Sequence, residues 1–136
     1  MAALTGELAA PEVERLLRDT VDCPRVGAVN LAEVLDVLVR RQTWAVADVT
    51  EKIDWLRAGG LEVVAANDEI GLQAGKLHAR LYDRAKCPLS LADCVALATA
   101  HVMGQSLATS DPALAGAARG EGVTVVALPD HRGIRP

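Results

Sequence analysis

A chain of 136 residues with a formal net charge of −4 has room for one domain with a sizeable core and no general attraction for phosphate backbones. Half of the residues are apolar, yet Phe is absent and Tyr82 is the single tyrosine, so Ala, Leu and Val must build the core with Trp44 and Trp55. That scarcity of rings excludes a protein that reads single-stranded nucleic acid chiefly by stacking.

In chain order, Pro11 opens a short helix in which Val13, Leu16 and Leu17 share a side and which ends near Asp19 and Thr20. A strand is predicted over residues 26–29. Asn30 then caps a helix whose apolar positions Leu31, Val34, Leu35 and Leu38 recur at helical spacing. A third helix, residues 45–58, carries a stripe of Val46, Val49, Ile53 and Leu56 and stops at Gly59 and Gly60. Residues 61–65 make a second strand. A long fourth helix runs on through residue 85, marked by Ile70, Ala74, Leu77 and Leu81, and Pro88 prevents its continuation. Ser90 caps a fifth helix, residues 91–103, that is apolar nearly all round and ends at Gly104. Residues 106–109 form a strand, 112–119 a short helix and 123–128 the last strand, with a loosely held tail from His131.

This alternation predicts an α/β fold with a parallel sheet covered by helices on both faces, and with sites collected at the carboxyl ends of the strands. Cys23, Cys87 and Cys94 are odd in number and lack zinc-like spacing, which predicts reduced thiols and a cytoplasmic protein, with Cys94 a small buried hydrophobe. The longest apolar stretch, residues 94–103, is too short for a membrane span.

Three acids stand where helices begin: Glu33 three residues after Asn30, Asp93 three after Ser90, and Asp111 before Pro112. Each fits two readings. An acid at the third helical position or at the cap satisfies backbone N–H groups and gains from the helix dipole. Alternatively, carboxylates gathered at one sheet edge repel one another and recruit a hard divalent cation such as Mg²⁺ or Mn²⁺, which activates water for phosphodiester hydrolysis. Thr109 and Ser110 offer hydroxyls to such a site or to the backbone. His78, His101 and His131 are not placed as a general base. Lys76, His78, Arg80, Arg84 and Lys86 form a candidate phosphate-contacting face.

The segments Val29-Asn30-Leu31-Ala32-Glu33-Val34, Leu89-Ser90-Leu91-Ala92-Asp93 with its apolar continuation to Ala100, Leu107-Ala108-Thr109-Ser110-Asp111-Pro112, and residues 122–128 resemble the PIN domain, specifically the VapC-type toxins of toxin–antitoxin pairs. The likeness covers essentially the whole chain as a single domain, residues 1–136. It implies a three-layer α/β/α fold with a central parallel sheet, and a Mg²⁺- or Mn²⁺-dependent endoribonuclease. Glu33, Asp93 and Asp111 would supply metal ligands, and Thr109 would be the accompanying hydroxyl. It further implies an RNA substrate, a homodimer, and a cognate antitoxin that holds the enzyme inactive. Family members begin with a hydrophobic central strand ending in an Asp, lying between the strands read here at 26–29 and 106–109. Residues 1–7 match only the segment beyond that strand. The resemblance therefore implies a natural protein several residues longer, or else a catalytically inactive PIN-like protein that binds an antitoxin or RNA.

Overall fold

The computed structural model describes residues 8–18 and 23–136. The expected helix end at Asp19 and Thr20, and the segment 1–7, lie outside the described residues. The chain divides into two compact units, Met1–Ala65 and Ala66–Pro136.

In the first unit, helix α1 (Ala10–Leu17) starts at a proline whose missing N–H costs nothing in the first turn. Strand β1 (Arg25–Gly27) leads into α2 (Ala28–Gln42), then α3 (Val46–Ala58) and β2 (Glu62–Val64). The two strands pair in parallel, Arg25 opposite Glu62 and Gly27 opposite Val64. A parallel pair needs a long crossover, which α2 and α3 supply. Arg25 Nε donates to Glu62 Oε2 at 2.8 Å across the pair. Leu38, Val49 and Ile53 form the buried centre, with Leu31, Val34, Leu35, Val39 and Trp44 packed around it.

Two expectations need correction here. The strand-to-helix change comes at Gly27, not Asn30; Gly27 is extended (φ −65°, ψ 141°) and acts as an N-cap without a side-chain bond. Asn30 is thus the third residue of α2, and Glu33 lies in its second turn. Trp55 is 78% exposed, so only Trp44 of the two tryptophans packs on the core. Trp55 comes two residues after the buried Ile53, roughly 200° around the helix, and so points away from it.

In the second unit, α4 (Asp68–Leu81) is capped by Asn67, whose side chain accepts from Ile70 N at 2.9 Å. It packs against α5 (Leu91–Met103), and the chain continues through β3 (Leu107–Thr109), α6 (Pro112–Gly120) and β4 (Val125–Ala127). Ile70, Ala74 and Leu77 are the buried stripe of α4, and Cys94, Val95, Leu97, Ala98, Thr99 and Ala100 are buried in α5. That is the nearly all-round burial expected for α5. Gly104 ends it in a left-handed conformation (φ 63°), which glycine adopts without steric cost.

Helix α4 stops four residues before the predicted end. Tyr82 is extended, and Asp83 diverts the chain by accepting from Ala85 N at 2.8 Å and Lys86 N at 2.9 Å. A short polar side chain offers the backbone these alternative partners, and here it outcompetes the next helical turn. Strands β3 and β4 are parallel, Leu107 opposite Val125 and Thr109 opposite Ala127.

Parallel pairing is therefore as expected, but the described residues form two two-stranded sheets, one in each unit, and not the single central sheet predicted. Strands β1 and β3 are the two that the resemblance would place on either side of a middle strand. Among the described residues each has one partner.

The tail is held more firmly than expected. Asp130 accepts from Arg132 N at 2.8 Å and Ile134 N at 2.9 Å, its own N–H donates to Ile134 O at 2.8 Å, and Arg135 donates to Ala127 O. The Ile134 amide, and after it Arg132, holds the Asp130 carboxyl below the usual range. A depressed carboxyl stabilises this turn fully above the ordinary Asp value and loses the contribution as pH falls through the lowered folded value. The Ile134 amide proton shift, tracked by NMR, should titrate with a midpoint below about 3.9. A midpoint at or above that value would show that the turn does not form.

Candidate functional site

The second unit holds two of the three predicted acids, and both have definite structural work. At the start of α5, Ser90 N and Ser90 Oγ donate to Asp93 Oδ2 at 2.8 and 2.7 Å, while Asp93 N donates back to Ser90 Oγ at 3.1 Å. This is the reciprocal capping arrangement that the Ser-x-x-Asp spacing predicts. At the start of α6, Asp111 Oδ1 accepts from Leu114 N at 2.7 Å. Thr109, buried at the end of β3, accepts from Asp111 N at 3.0 Å through Oγ1. The backbone role open to Thr109 is present: its hydroxyl oxygen fixes the turn that delivers Asp111.

Chain direction relates the two acids. Helix α5 packs on β3 and is joined to it by a short turn through Gly104. The helix runs away from Asp93 and the strand runs back, so Asp93 and Asp111 belong to the side of the unit towards which β3 points. Among the described residues, the hydrogen bonds use Oδ2 of Asp93 and Oδ1 of Asp111, so the second oxygen of each lies outside the cap. Glu33 differs. It is exposed, lies in the first unit, and sits too far into α2 to act in a capping box with Asn30.

The neighbouring groups narrow the chemistry. Burial, and after it the adjacent Asp93 charge, pushes the Cys94 thiol up, so it remains a protonated core side chain, as expected, and is not a nucleophile. His101 is exposed on the last turn of α5, eight residues or roughly 12 Å along the axis from Asp93, too far to serve as its base. His101 lines a shallow cavity of about 260 Å³ with Gln105, Ser106 and Thr124 at that opposite end. Of the predicted basic face, Arg80 is tied to Glu121 at 2.7 Å. Sequence reasoning misses the stacking of His78 on Tyr82, with centroids 4.9 Å apart and planes at 18°. Their spacing of four residues is the available signal.

Two carboxylates from one unit are hard oxygen donors of the kind Mg²⁺ accepts. A three-ligand centre is a stronger claim, and among the described residues no group of three His, Cys, Asp or Glu side chains is placed to hold a metal ion. The residues described thus do not fit a complete metal centre.

The model of the PIN domain family matches residues 1–120, a span that includes Glu33, Asp93, Thr109 and Asp111. The chain belongs to the PIN domain family. No curated protein shows significant similarity to it. Among the described residues, no helix is long and apolar enough to cross a membrane.

The capping box can be tested directly. Ser90→Ala should lower stability by about 1 kcal/mol. Asp93→Asn should also destabilise, and the double variant should lose less than the sum because one network is broken twice. Urea unfolding of the four proteins measures this, and strict additivity would mean that the reciprocal bonds do not form.

Proposed function

We propose that this PIN-family chain works as an RNA-binding module of toxin–antitoxin type, with a cognate antitoxin as its regulatory partner, and that binding does not depend on its own cleavage of RNA. The observation that supports this reading is the state of the acids. Asp93 and Asp111 are each held through one oxygen as helix caps, and the described residues do not gather a third carboxylate with them. Capping alone justifies both residues energetically.

A second reading has its own support. Each capped acid keeps one oxygen outside the cap, and Thr109 fixes the turn from which Asp111 projects. That is suited to a Mg²⁺- or Mn²⁺-dependent endoribonuclease in which Asp93, Asp111 and Glu33 hold the cation and Thr109 supports them. In that reading the protein is the toxin of the pair, a homodimer inhibited by its antitoxin.

Labelled RNA incubated with the full chain and increasing Mg²⁺ or Mn²⁺ separates the two. For the binding module, complex formation persists in EDTA, and any cleavage is equal in wild type and Asp93→Asn. Metal-dependent cleavage that Asp93→Asn abolishes, while its fold is kept by circular dichroism, would overturn the binding-only reading and establish the nuclease.

A further inference from the structure

The segment that ends α4 and turns towards α5 concentrates positive charge. Residues 76–86 carry four cations, Lys76, Arg80, Arg84 and Lys86, against the single acid Asp83, in a chain whose net charge is −4. Charge pairing sorts these groups. Arg80 is bound to Glu121, and Asp83 spends Oδ1 on the amides of Ala85 and Lys86. Arg84 and Lys86 are exposed and, among the described residues, make no ion pair.

Their mounting is firm. Asp83 N donates to Cys87 O at 3.0 Å and Cys87 N to Asp83 O at 2.8 Å, closing the turn at its base. Two residues on, Leu89 is 1% exposed and anchors the turn to the core. Immediately before the turn, Tyr82 is 49% exposed and its ring is steadied by the stack on His78. Two cations without an ion pair among the described residues, against the one carboxylate of Asp83, leave the turn net positive beside a half-exposed aromatic ring. That combination is suited to a nucleic-acid strand: phosphates contact the cations, and a base lies on the ring. An acidic peptide would use only the cations. Little ordering is needed on binding, because the backbone that carries these groups is already bonded.

We propose that this turn is the strand-holding surface for single-stranded RNA, with Arg84 and Lys86 contacting phosphates and Tyr82 stacking a base. The proposal rests on the RNA-binding reading above and gives that reading its contact surface. Lys86 precedes Asp93 by seven residues, so at most about 25 Å of chain separates them. A strand held at the turn is then a few nucleotides from the acids.

The test is fluorescence anisotropy of a labelled single-stranded RNA oligonucleotide with the full chain, in EDTA, over a series of salt concentrations. An Arg84→Gln, Lys86→Gln double variant should bind roughly tenfold more weakly, and its slope of log affinity against log salt should be shallower by about 1.4, two contacts at about 0.7 each. Tyr82→Leu should weaken binding roughly tenfold with the slope unchanged. Arg84 and Lys86 are exposed, so the double variant's melting temperature should match wild type. Tyr82→Leu gives up the stack on His78 and is compared only at temperatures where circular dichroism shows it folded. An unchanged slope and affinity in the double variant would overturn the proposal, as would an unchanged affinity in Tyr82→Leu. Asp93→Asn serves as the separating control. If it abolishes metal-dependent cleavage while the double variant binds like wild type, the nuclease reading stands and this surface falls. If no cleavage is found but the slope changes as stated, the surface stands alone.

Discussion

Every helix begins with backbone N–H groups that have no partner within the helix, and a chain that turns a strand end into a helix start must satisfy them within a few residues. In the second unit Asn67 meets that constraint at α4, and acids take part in meeting it at the other two helices. Asp93, through Ser90, opens α5, and Asp111 opens α6. Each cap fixes the carboxylate by one oxygen, restricts its rotamers, and leaves the other oxygen at the end of the unit where β3 terminates. Stability and site geometry are thus coupled in the same two side chains. A substitution there disturbs the helix start before it disturbs any ligand. Glu33 has no such tie. The start of α2 is made by Gly27 without a side-chain bond, and Glu33, a turn and a half later, projects from an exposed face.

The strands contribute little of the burial that holds either unit. Each is three residues long, and Val63 in β2 remains exposed, whereas parallel strands are ordinarily covered on both faces. The weight falls on the helices. In the first unit Leu38 of α2 meets the Val49 and Ile53 stripe of α3, and in the second the stripe of α4 lies on α5, whose middle turns are buried. This explains how a core without Phe suffices. Ala and Leu allow helix axes to approach closely, and dispersion across many small contacts replaces what a few large rings would supply.

Legibility in the sequence divides along the same line, between local and distant causes. Helix α5 is legible from end to end, because its start is a Ser with an acid three residues on, its interior is continuously apolar, and its stop is a glycine at positive φ. The start of α2 is easily misread because glycine caps leave no side-chain signature, while Asn30 and Glu33 have the spacing of a cap three residues further on. Periodicity carries helix α4 too far because Leu81 and Ala85 continue its repeat, and a single Asp83 carboxylate overrides that repeat by bonding two amides. Composition assigns Trp55 to the core but says nothing of helical phase. At the site, the capping of Asp93 and Asp111 is visible because it depends on residues three apart. Whether acids distant in sequence share a ligand depends on how separate elements pack, and spacing does not encode that.

Electrostatics gives the acid edge and the basic turn distinct duties. Two carboxylates, Asp93 half-buried and Asp111 exposed, repel a phosphodiester, so RNA would reach them only if that repulsion is offset, by a bound cation or by favourable contacts elsewhere on the strand. Arg84 and Lys86 cannot offset it through space unless they are close, because screening limits exposed charges to about 8 Å at physiological salt. In the proposed complex they would act on the phosphates that touch them. On the proposed RNA-binding reading, the coupling between the two places would therefore run through the RNA strand itself, contributing binding energy at the turn and carrying it to the acids as effective concentration. On this argument a strand too short to span both places should gain nothing at the acids from the turn. A protein with intact acids and a neutralised turn would retain whatever chemistry its carboxylates can perform while losing the means to bring RNA to them.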